Sequence, residues 1–239
     1  MPLKAHNIPI KGFIETSFID WRGHLSSVLF TGGCNFRCPY CHNSDLVLKH
    51  ESLDDIPLDF ILLRLKKFKR WVDHLVITGG EPTIHKGLED LIRTFKKQEM
   101  SVKLDTNGSN PHMLKRLVYH GMIDYIAMDI KGPIEGYHRW CGTKVDIEKI
   151  KESIRFIMEG KIDYEFRMTV VPFLHKEKDI YEVARYISGA KRFYIQNFKP
   201  NNTLDPSYMT IKPFPPDKIK EIKDNVAKYI GTGDSSAAL

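Results

Sequence analysis

The sequence predicts an α/β protein in which six β/α units form a parallel sheet that curls into a partial (β/α)6 barrel. Short apolar runs rich in β-branched and aromatic residues alternate with longer stretches whose apolar residues recur at helical spacing. No tight hairpin signal separates successive runs, and a strand–helix–strand crossover within one sheet makes its two strands parallel. A curled sheet is favoured over a flat doubly wound sheet, which the same alternation also allows.

The predicted strands and helices alternate along almost the whole chain. Strands are predicted at six apolar runs, residues 27–30, 75–77, 102–104, 125–128, 164–171 and 193–195. Helices are predicted at 57–72, 86–99, 111–121, 146–159, 177–188 and 215–230. Pro111 and Asp146 are start signals for two of these helices, and Gly121 and Gly160 are stop signals. Each predicted strand is therefore followed by one helix.

A length of 239 residues suits one large α/β domain better than two small domains. We expect residues 1–23 to form an N-terminal hairpin or extension that precedes the first β/α unit. Residues 24–230 are predicted to form the barrel. Residues 231–239 are small and polar for the most part, and they are predicted to form a flexible tail.

The composition is that of an ordinary globular protein, with 42% hydrophobic and 28% charged residues, which argues against a disordered or fibrous chain. The net charge of +6 is a mild excess, and the lysines fall mostly on predicted helix faces, so no nucleic-acid partner is expected. No secretory signal and no apolar run of membrane-spanning length is visible. The sequence therefore predicts a cytoplasmic protein that does not bind a membrane.

Three of the four cysteines lie within eight positions, in the spacing Cys34-x3-Cys38-x2-Cys41. A structural zinc site uses four protein ligands, and a fully ligated 4Fe–4S cluster uses four cysteines. Three thiolates therefore leave one metal position open to a ligand that is not protein. The clustering suits a reducing compartment and metal binding better than disulfide bonds.

Three other interpretations of this loop compete with an iron–sulfur cluster. Cys38 and Cys41 have the spacing of a thioredoxin-like dithiol, and with His42 they also fit the c-type haem attachment pattern. Neither of these uses Cys34, and haem attachment of this type belongs to exported proteins. A zinc site made of the three cysteines and His42 stays open at this point, because imidazole is a good zinc ligand.

Unusual polar and small residues follow the ends of the predicted strands. In folds of this kind the chemistry lies at the carboxyl ends of the strands, which meet at one rim. The segments in question are 78–82, 105–108, 129–132 and 196–200. Turn chemistry alone explains any one of them, since Gly, Asn, Asp and Pro are the residues that turns use. Their recurrence along one rim instead indicates a functional site.

Taken together, these motifs resemble those of the radical S-adenosylmethionine (SAM) enzymes. The resemblance rests on the cysteine loop with Tyr40 before its last cysteine, followed by GGEPT from Gly79, LDTNG from Leu104 and AMDIKGP from Ala127. More narrowly, the combination is similar to that of the glycyl-radical enzyme activating proteins, above all those of anaerobic ribonucleoside-triphosphate reductase. It covers roughly residues 11 to 200.

The resemblance implies a partial (β/α)6 barrel, one 4Fe–4S cluster ligated by Cys34, Cys38 and Cys41, and SAM bound at the fourth iron. It further implies SAM contacts at Tyr40, Cys41, His42, Gly79, Gly80, Glu81, Asp105, Thr106, Asp129, Ile130 and Lys131. The implied reaction is reductive cleavage of SAM to a 5′-deoxyadenosyl radical, which takes a glycine Cα hydrogen from a partner glycyl-radical enzyme. Flavodoxin or ferredoxin is the implied electron donor. No catalytic residue is implied beyond the cluster and SAM.

Two features of the chain depart from parts of this family. Pyruvate formate-lyase activators carry a histidine after the last strand, where this chain has Phe198 and Lys199. Longer members carry extra cysteines for auxiliary clusters, whereas the one spare cysteine here, Cys141, is expected to pack as a small apolar residue. The alternatives are a radical SAM enzyme that acts on a small molecule and, more distantly, a non-enzymatic zinc-binding module.

Two carboxylates, Asp105 and Asp129, end neighbouring predicted strands and would lie close to the carboxylate of SAM. Anions gathered in a partly dry site need a compensating cation. We therefore expect Lys131, a monovalent cation or both to balance their charge. The sequence leaves open the partner, the reductant, the oligomeric state and the role of residues 196–200.

Overall fold

A computed structural model describes residues 8–68 and 70–230 of the chain. The described strands are β1 (Ile10–Ser17), β2 (Ser26–Thr31), β3 (His74–Gly79), β4 (Ser101–Thr106), β5 (Tyr125–Asp129), β6 (Asp163–Val170) and β7 (Phe193–Asn197). The described helices are α1 (Ser44–Leu48), α2 (Leu58–Phe68), α3 (Leu88–Lys96), α4 (Pro111–Tyr119), α5 (His138–Cys141), α6 (Ile147–Glu159), α7 (Glu177–Tyr186) and α8 (Pro216–Ala227). Short 3-10 turns lie at His50–Ser52, Pro82–Ile84 and Pro206–Thr210.

The seven strands form one sheet in the order of the sequence, β1-β2-β3-β4-β5-β6-β7. The pairs β2–β3, β3–β4 and β6–β7 are parallel, as predicted for successive β/α units. All six predicted strands and all six predicted helices are found, with ends that differ by a few residues. The shorter helices α1 and α5 were not predicted, because segments of five and four residues carry too little periodicity to be recognised.

The predicted helix signals have the expected local geometry. The carboxylate of Asp146 accepts a hydrogen bond from the amide of Glu148 at 3.2 Å and caps α6, and Pro111 is the first residue of α4. Gly121 follows α4 with φ of 60°, a left-handed conformation that favours glycine, and Gly160 ends α6. Local propensity and the final structure therefore agree at these positions.

The N-terminal segment contributes a strand to the sheet. β1 pairs with β2 in the antiparallel direction. Of the two forms expected for this segment, a hairpin or an extension, the structure therefore supports the hairpin. Residues 1–7 of the predicted extension and the predicted flexible tail, 231–239, lie outside the described residues. The division into extension, barrel and tail within a single domain stays a prediction.

The described chain divides into two compact units. The first unit comprises the chain up to Asn35, Asp45–Thr106 and His112–Ile126. It contains β1 to β4, and part of its core is formed by Trp21, Val28, Val76 and Tyr125. These four side chains pack against one another, which fits the burial that the strands of a parallel sheet require.

The second unit comprises Phe36–Ser44, Asn107–Pro111 and the chain from Ala127 onward. Its largest fully buried side chains include Trp140, Tyr164, Phe166 and Phe198. The last two belong to β6 and to the segment after β7, so the core of this unit is anchored on the final strands of the sheet. Within the part of the chain that the structure describes, no helix has the length and apolar character needed to cross a membrane.

Candidate active site

In the first unit, the glycine pair at the end of β3 is packed against the chain's own backbone. A Cβ atom on Gly80 would lie 1.9 Å from the carbonyl oxygen of Gly33, and one on Gly79 would lie 2.5 Å from the amide nitrogen of Thr31. The amide of Gly80 donates to the carbonyl of Thr31 at 2.8 Å, and the amide of Glu81 donates to the carbonyl of Gly33 at 2.9 Å. The glycines therefore allow β3 to pack directly against the backbone that leads into Cys34.

The side chain of Glu81 is buried and organised by hydroxyl groups. Its Oε1 atom accepts hydrogen bonds from the hydroxyl of Thr106 at 2.7 Å and from the amide of Thr83 at 3.1 Å. The hydroxyl of Thr83 donates to the same oxygen. Glu81 therefore caps the 3-10 turn after β3 and ties it to the end of β4, which places two predicted site residues, Glu81 and Thr106, in direct contact.

The carboxylate of Asp105, also in the first unit, has a buried lysine beside it. The ammonium of Lys103 lies 3.7 Å from Asp105 Oδ1, and the side chains of both residues are almost fully buried. Lys103 also donates to the carbonyl of Asp20 at 2.6 Å and lies over the ring of Tyr125. A positive charge from the protein therefore already balances one of the two predicted anions.

All four cysteines are free thiols. Cys34 belongs to the first unit, whereas Cys38 and Cys41 belong to the second, where the amide of Cys41 donates to the carbonyl of Cys38 at 3.0 Å. Burial raises the pKa of the Cys41 thiol, and the charge of Lys131 acts in the opposite direction. Among residues 8–68 and 70–230, no group of three or more His, Cys, Asp or Glu side chains is arranged to hold a metal ion.

The segment after β7 holds the second half of the cysteine loop. The amide of Leu204 donates to the carbonyl of Cys41 at 3.1 Å, and the amide of Asp205 donates to the carbonyl of Pro39 at 2.9 Å. The imidazole of His42 hydrogen-bonds the carbonyl of Lys199 at 2.7 Å and stacks on Phe198. The residues after the last strand thus support the loop, a role that the sequence had left open, and His42 takes part in that support.

Asp129, at the end of β5, is paired with two cations in the second unit. Arg167 Nε donates to Asp129 Oδ1 at 2.9 Å, and Lys131 Nζ lies 3.3 Å from Asp129 Oδ2. Burial disfavours the ionised carboxyl group, but the charges of Arg167 and Lys131 outweigh burial and lower the pKa of Asp129 to about 2. The ion pair with Asp129 likewise keeps Lys131 charged, with a pKa well above its usual value despite burial.

His175 lies at the centre of a buried cluster in the second unit. Its Nδ1 accepts from the amide of Val171 at 3.0 Å, so the ring proton is on Nε2, which donates to the carbonyl of Lys131 at 2.8 Å. The ring stacks with Trp140 and makes an edge contact with Tyr40. Burial lowers the pKa of His175 to about 4, so the imidazole is neutral at physiological pH.

Tyr40 and Ile130, two further predicted site residues, are also buried in the second unit. The Tyr40 hydroxyl makes no hydrogen bond within the described part of the chain, and burial raises the pKa of Tyr40 well above its usual value. Ile130 donates its amide to the carbonyl of Arg167 at 2.8 Å and lines a cavity of about 310 Å³. Tyr40 therefore presents a polar atom that is available to a ligand.

The element from Asp129 to Gly132 is fixed by aromatic residues of the segment that follows it. The amide of Lys131 donates to the hydroxyl of Tyr137 at 3.0 Å. A Cβ atom on Gly132 would lie 2.3 Å from the indole ring of Trp140, so only glycine fits against that ring. The spare Cys141 is fully buried, and its thiol donates to the carbonyl of Tyr137, which confirms that it packs inside the protein.

Each unit therefore groups a subset of the predicted site residues. Gly79, Gly80, Glu81 and Thr106 meet in the first unit, while Tyr40, Asp129 and Lys131 interact in the second. Three residues that contact predicted site residues were not predicted from the sequence, namely Lys103, Arg167 and His175. A signal was present for both the lysine and the arginine, because Lys103 lies between Val102 and Leu104 in β4 and Arg167 lies between Phe166 and Met168 in β6.

The comparison with known proteins identifies the family to which this chain belongs. The family model described as the radical SAM superfamily matches residues 28–187. SuiB from Streptococcus suis, solved with its precursor peptide SuiA, has a similar fold, with a TM-score of 0.65 and 16% identity over 84% of this chain and 45% of the SuiB chain. The chain belongs to the radical SAM superfamily, and its predicted fold class, a partial (β/α)6 barrel of that type, is confirmed.

Two curated relatives are informative about the particular branch of the family. A protein of Methanocaldococcus jannaschii, provisionally named as a glycyl-radical enzyme activating enzyme, is 31% identical over 92% of this chain and 92% of its own length. A 7-carboxy-7-deazaguanine synthase of Neisseria meningitidis is 36% identical, but over only 55% of this chain and 53% of its own. The protein is a radical SAM enzyme, and the relative that matches nearly its whole length carries the name of an activating enzyme.

Proposed function

We propose that this protein is an activase that uses reductively cleaved SAM to take a hydrogen atom from a glycine Cα of a partner glycyl-radical enzyme. The observation that carries the proposal is the full-length likeness to the M. jannaschii protein named as an activating enzyme. The proposed partner is an anaerobic ribonucleoside-triphosphate reductase, on the motif resemblance in the sequence. Flavodoxin or ferredoxin is the proposed electron donor.

The donor set of the cysteine loop fits an iron–sulfur cluster. Cys34, Cys38 and Cys41 are free thiols, and three thiolates within eight positions leave one iron for SAM. When bound, the cluster supplies the electron that cleaves SAM into methionine and a 5′-deoxyadenosyl radical. His42, the fourth ligand of the zinc alternative, is engaged by Lys199 and Phe198, which supports three ligands rather than four.

The residues proposed to contact SAM are Tyr40, Cys41, His42, Gly79, Gly80, Glu81, Asp105, Thr106, Asp129, Ile130 and Lys131. Among them, Tyr40 offers a buried hydroxyl that lacks a protein partner within the described residues. Lys131 offers a cation fixed by Asp129, which suits an anionic group such as the carboxylate of SAM. The role of these side chains is to bind and orient SAM and to exclude water, while the cofactors supply the chemistry.

Charge balance near SAM is proposed to come chiefly from the protein. Lys103 lies beside Asp105, and Arg167 and Lys131 both contact Asp129. These pairs supply the compensation that clustered anions require in a partly dry site. Each carboxylate thus has a protein cation next to it, and the monovalent cation expected from the sequence stays a prediction.

A second candidate is a radical SAM enzyme that acts on a small molecule. It is favoured by the likeness of about half of this chain to a 7-carboxy-7-deazaguanine synthase. That likeness covers a smaller part of both proteins than the likeness to the activating enzyme does. We therefore place it second.

The proposal is tested with protein purified and reduced under anaerobic conditions. The protein is mixed with dithionite, SAM and an anaerobic ribonucleoside-triphosphate reductase, and radicals are followed by electron paramagnetic resonance. A glycyl doublet that needs all components is the expected result. SAM cleavage without any glycyl signal, together with turnover of a small molecule, would instead support the second candidate.

A further inference from the structure

Phe173 projects from the loop of residues 171–175, which connects β6 to α7 and is called the docking loop below. Its side chain is 91% exposed, more than any other large hydrophobic side chain in the described part of the chain. Its backbone has a φ of 69°, in the left-handed region that bulky residues rarely adopt. Phe173 therefore has an unfavourable backbone conformation, and burial of its side chain does not offset the cost.

The surrounding structure imposes this conformation. The amide of His175 donates to the carbonyl of Val171 at 2.9 Å, and the amide of Val171 donates to His175 Nδ1 at 3.0 Å. These two bonds close the base of the docking loop. The imidazole is itself fixed by Trp140 and Tyr40, so the loop stands on a rigid, buried support. Strained backbone of this kind persists where neighbouring structure determines it, and such sites cluster at functional positions.

The docking loop is attached directly to the candidate site of the second unit. His175 Nε2 donates to the carbonyl of Lys131 at 2.8 Å, and the Lys131 side chain pairs with Asp129. The loop also follows the carboxyl end of β6, the strand that supplies Arg167 to Asp129. Phe173 is thus two residues from a side chain that contacts the proposed SAM-binding element.

The other highly exposed hydrophobic residues occupy a different place in the topology. Phe18 and Ile19 precede β2, Trp71 precedes β3 and Tyr119 precedes β5, so all four lie toward the amino ends of strands. Phe18 does follow β1, but β1 runs antiparallel to β2, so its carboxyl end lies beside the amino end of β2. Phe173 instead follows the carboxyl end of a strand that is paired in parallel, the end at which chemistry occurs in folds of this type. Single exposed hydrophobic residues are common on protein surfaces, but this one combines exposure, strain and position.

We propose that Phe173 is the anchor to which a polypeptide segment of the protein substrate binds. This inference rests on the proposed function, since it names how the substrate glycine is brought to the site. An outward-pointing ring at a loop tip is available to the surface of a macromolecule, whereas a small substrate would be enclosed by the site. Large aromatic side chains that become buried at the centre of an interface carry much of its binding energy.

The test measures glycyl-radical formation at increasing concentrations of an anaerobic ribonucleoside-triphosphate reductase, with dithionite as reductant. Phe173→Ala and Phe173→Gly are compared, since glycine relieves the left-handed strain and alanine does not. Phe173→Leu keeps an apolar side chain, and Phe18→Ala is the matched control for loss of an exposed phenylalanine (80% exposed) elsewhere on the chain.

The expected result is a KM for the reductase raised on the order of thirtyfold by both Phe173→Ala and Phe173→Gly, as for a hot-spot residue. kcat, and SAM cleavage without reductase, should stay unchanged, and Phe173→Leu and Phe18→Ala should resemble the wild type. An unchanged KM in both variants, or an equal rise in Phe18→Ala, would overturn the inference alone. Absence of a glycyl radical with the wild-type protein would overturn the proposed function and the inference with it.

Discussion

The four free thiols of this chain have different surroundings, and their roles can be separated one residue at a time. Cys141 is fully buried, and its thiol donates to the carbonyls of Tyr137 and Thr143. Cys34, Cys38 and Cys41 lie within one short loop that is rich in small and polar residues. We therefore propose the three loop cysteines, and not Cys141, as the ligands of the cluster.

The first prediction follows from this assignment. Cys34→Ala should reduce the iron content of anaerobically reconstituted protein and abolish SAM cleavage, because two remaining thiolates cannot hold the cluster in place. Cys141→Ala is the control, and it should retain both iron and cleavage. Iron analysis and chromatography of 5′-deoxyadenosine measure the two effects. Full activity in Cys34→Ala would contradict the assignment, as would wild-type protein that contains one zinc ion and no iron.

A second prediction concerns His175, whose neutral ring holds the docking loop to Lys131. Burial lowers its pKa to about 4, whereas the unfolded chain binds a proton near pH 6.5. Its contribution to stability is therefore complete above about pH 6.5 and is lost as the pH falls toward 4. Between pH 7 and pH 5 this amounts to about 2 kcal/mol in the free energy of unfolding.

Urea unfolding of the wild type and of His175→Gln at pH 7 and pH 5 isolates this effect from the other histidines. The wild type should lose about 2 kcal/mol more than the variant over this interval. Lys131 and Asp179 are the charged groups that act on the ring, and Lys131 stays charged over this interval because its pKa is well above the usual value. The same loss in both proteins would show that His175 does not titrate as described.

The sequence predicted the site residues that form motifs but not the partners that the fold brings to them. Asp129 and Lys131 were recognised together because they lie two positions apart, whereas Arg167 reaches Asp129 from 38 positions away. His175 resembles any other loop histidine in the sequence, and only its two hydrogen bonds reveal its role. Long-range pairing of this kind leaves little trace in a single sequence.

At the scale of whole elements, the end of β3 and the backbone before Cys34 fit together only because Gly80 has no side chain. A methyl group there would lie 1.9 Å from the carbonyl oxygen of Gly33, a separation that real contacts do not reach. The family resemblance implies that Gly79 and Gly80 contact SAM. Here they first serve the packing of one strand end against the next.

The third prediction compares two glycine substitutions. Gly80→Ala should lower the free energy of unfolding by about 3 kcal/mol, the cost of overpacking a rigid site, and should also lower the iron content by displacing the cysteine loop. Gly121→Ala is the control, because its left-handed φ is strained but no atom lies within 4 Å of the new methyl group.

Gly121→Ala should cost about 1 kcal/mol, with normal iron content. Urea unfolding and iron analysis of the two variants provide the measurement. If both substitutions cost the same and both variants bind iron normally, the close approach of Gly80 to Gly33 does not support the loop.

Strands and long helices were predictable because their signals are local. Runs such as Leu75–Ile77 are short, apolar and rich in β-branched residues, which is typical of a buried strand, and Asp146 caps its helix as the sequence indicates. The antiparallel pairing of β1 was only partly anticipated, because without a turn signal the sequence does not show which strand β1 pairs with. The support of the cysteine loop by residues after β7 could not be foreseen, because it joins segments about 160 positions apart.

For the molecule as a whole, polar residues follow the ends of the strands, as expected for an enzyme of the radical SAM superfamily, to which the chain belongs. The fold provides the scaffold that this chemistry uses, but the same scaffold serves enzymes with small and with protein substrates. The choice between these substrates is the central claim of our account. It depends on the origin of the hydrogen atom that the enzyme removes.

The fourth prediction, and the most direct test of that claim, follows this hydrogen atom. The reduced protein and SAM are mixed with anaerobic ribonucleoside-triphosphate reductase whose glycines carry deuterium at Cα, and the 5′-deoxyadenosine formed is analysed by mass spectrometry. The account predicts one deuterium in each 5′-deoxyadenosine formed together with a glycyl radical. Unlabelled 5′-deoxyadenosine, with no glycyl radical in the reductase, would contradict it.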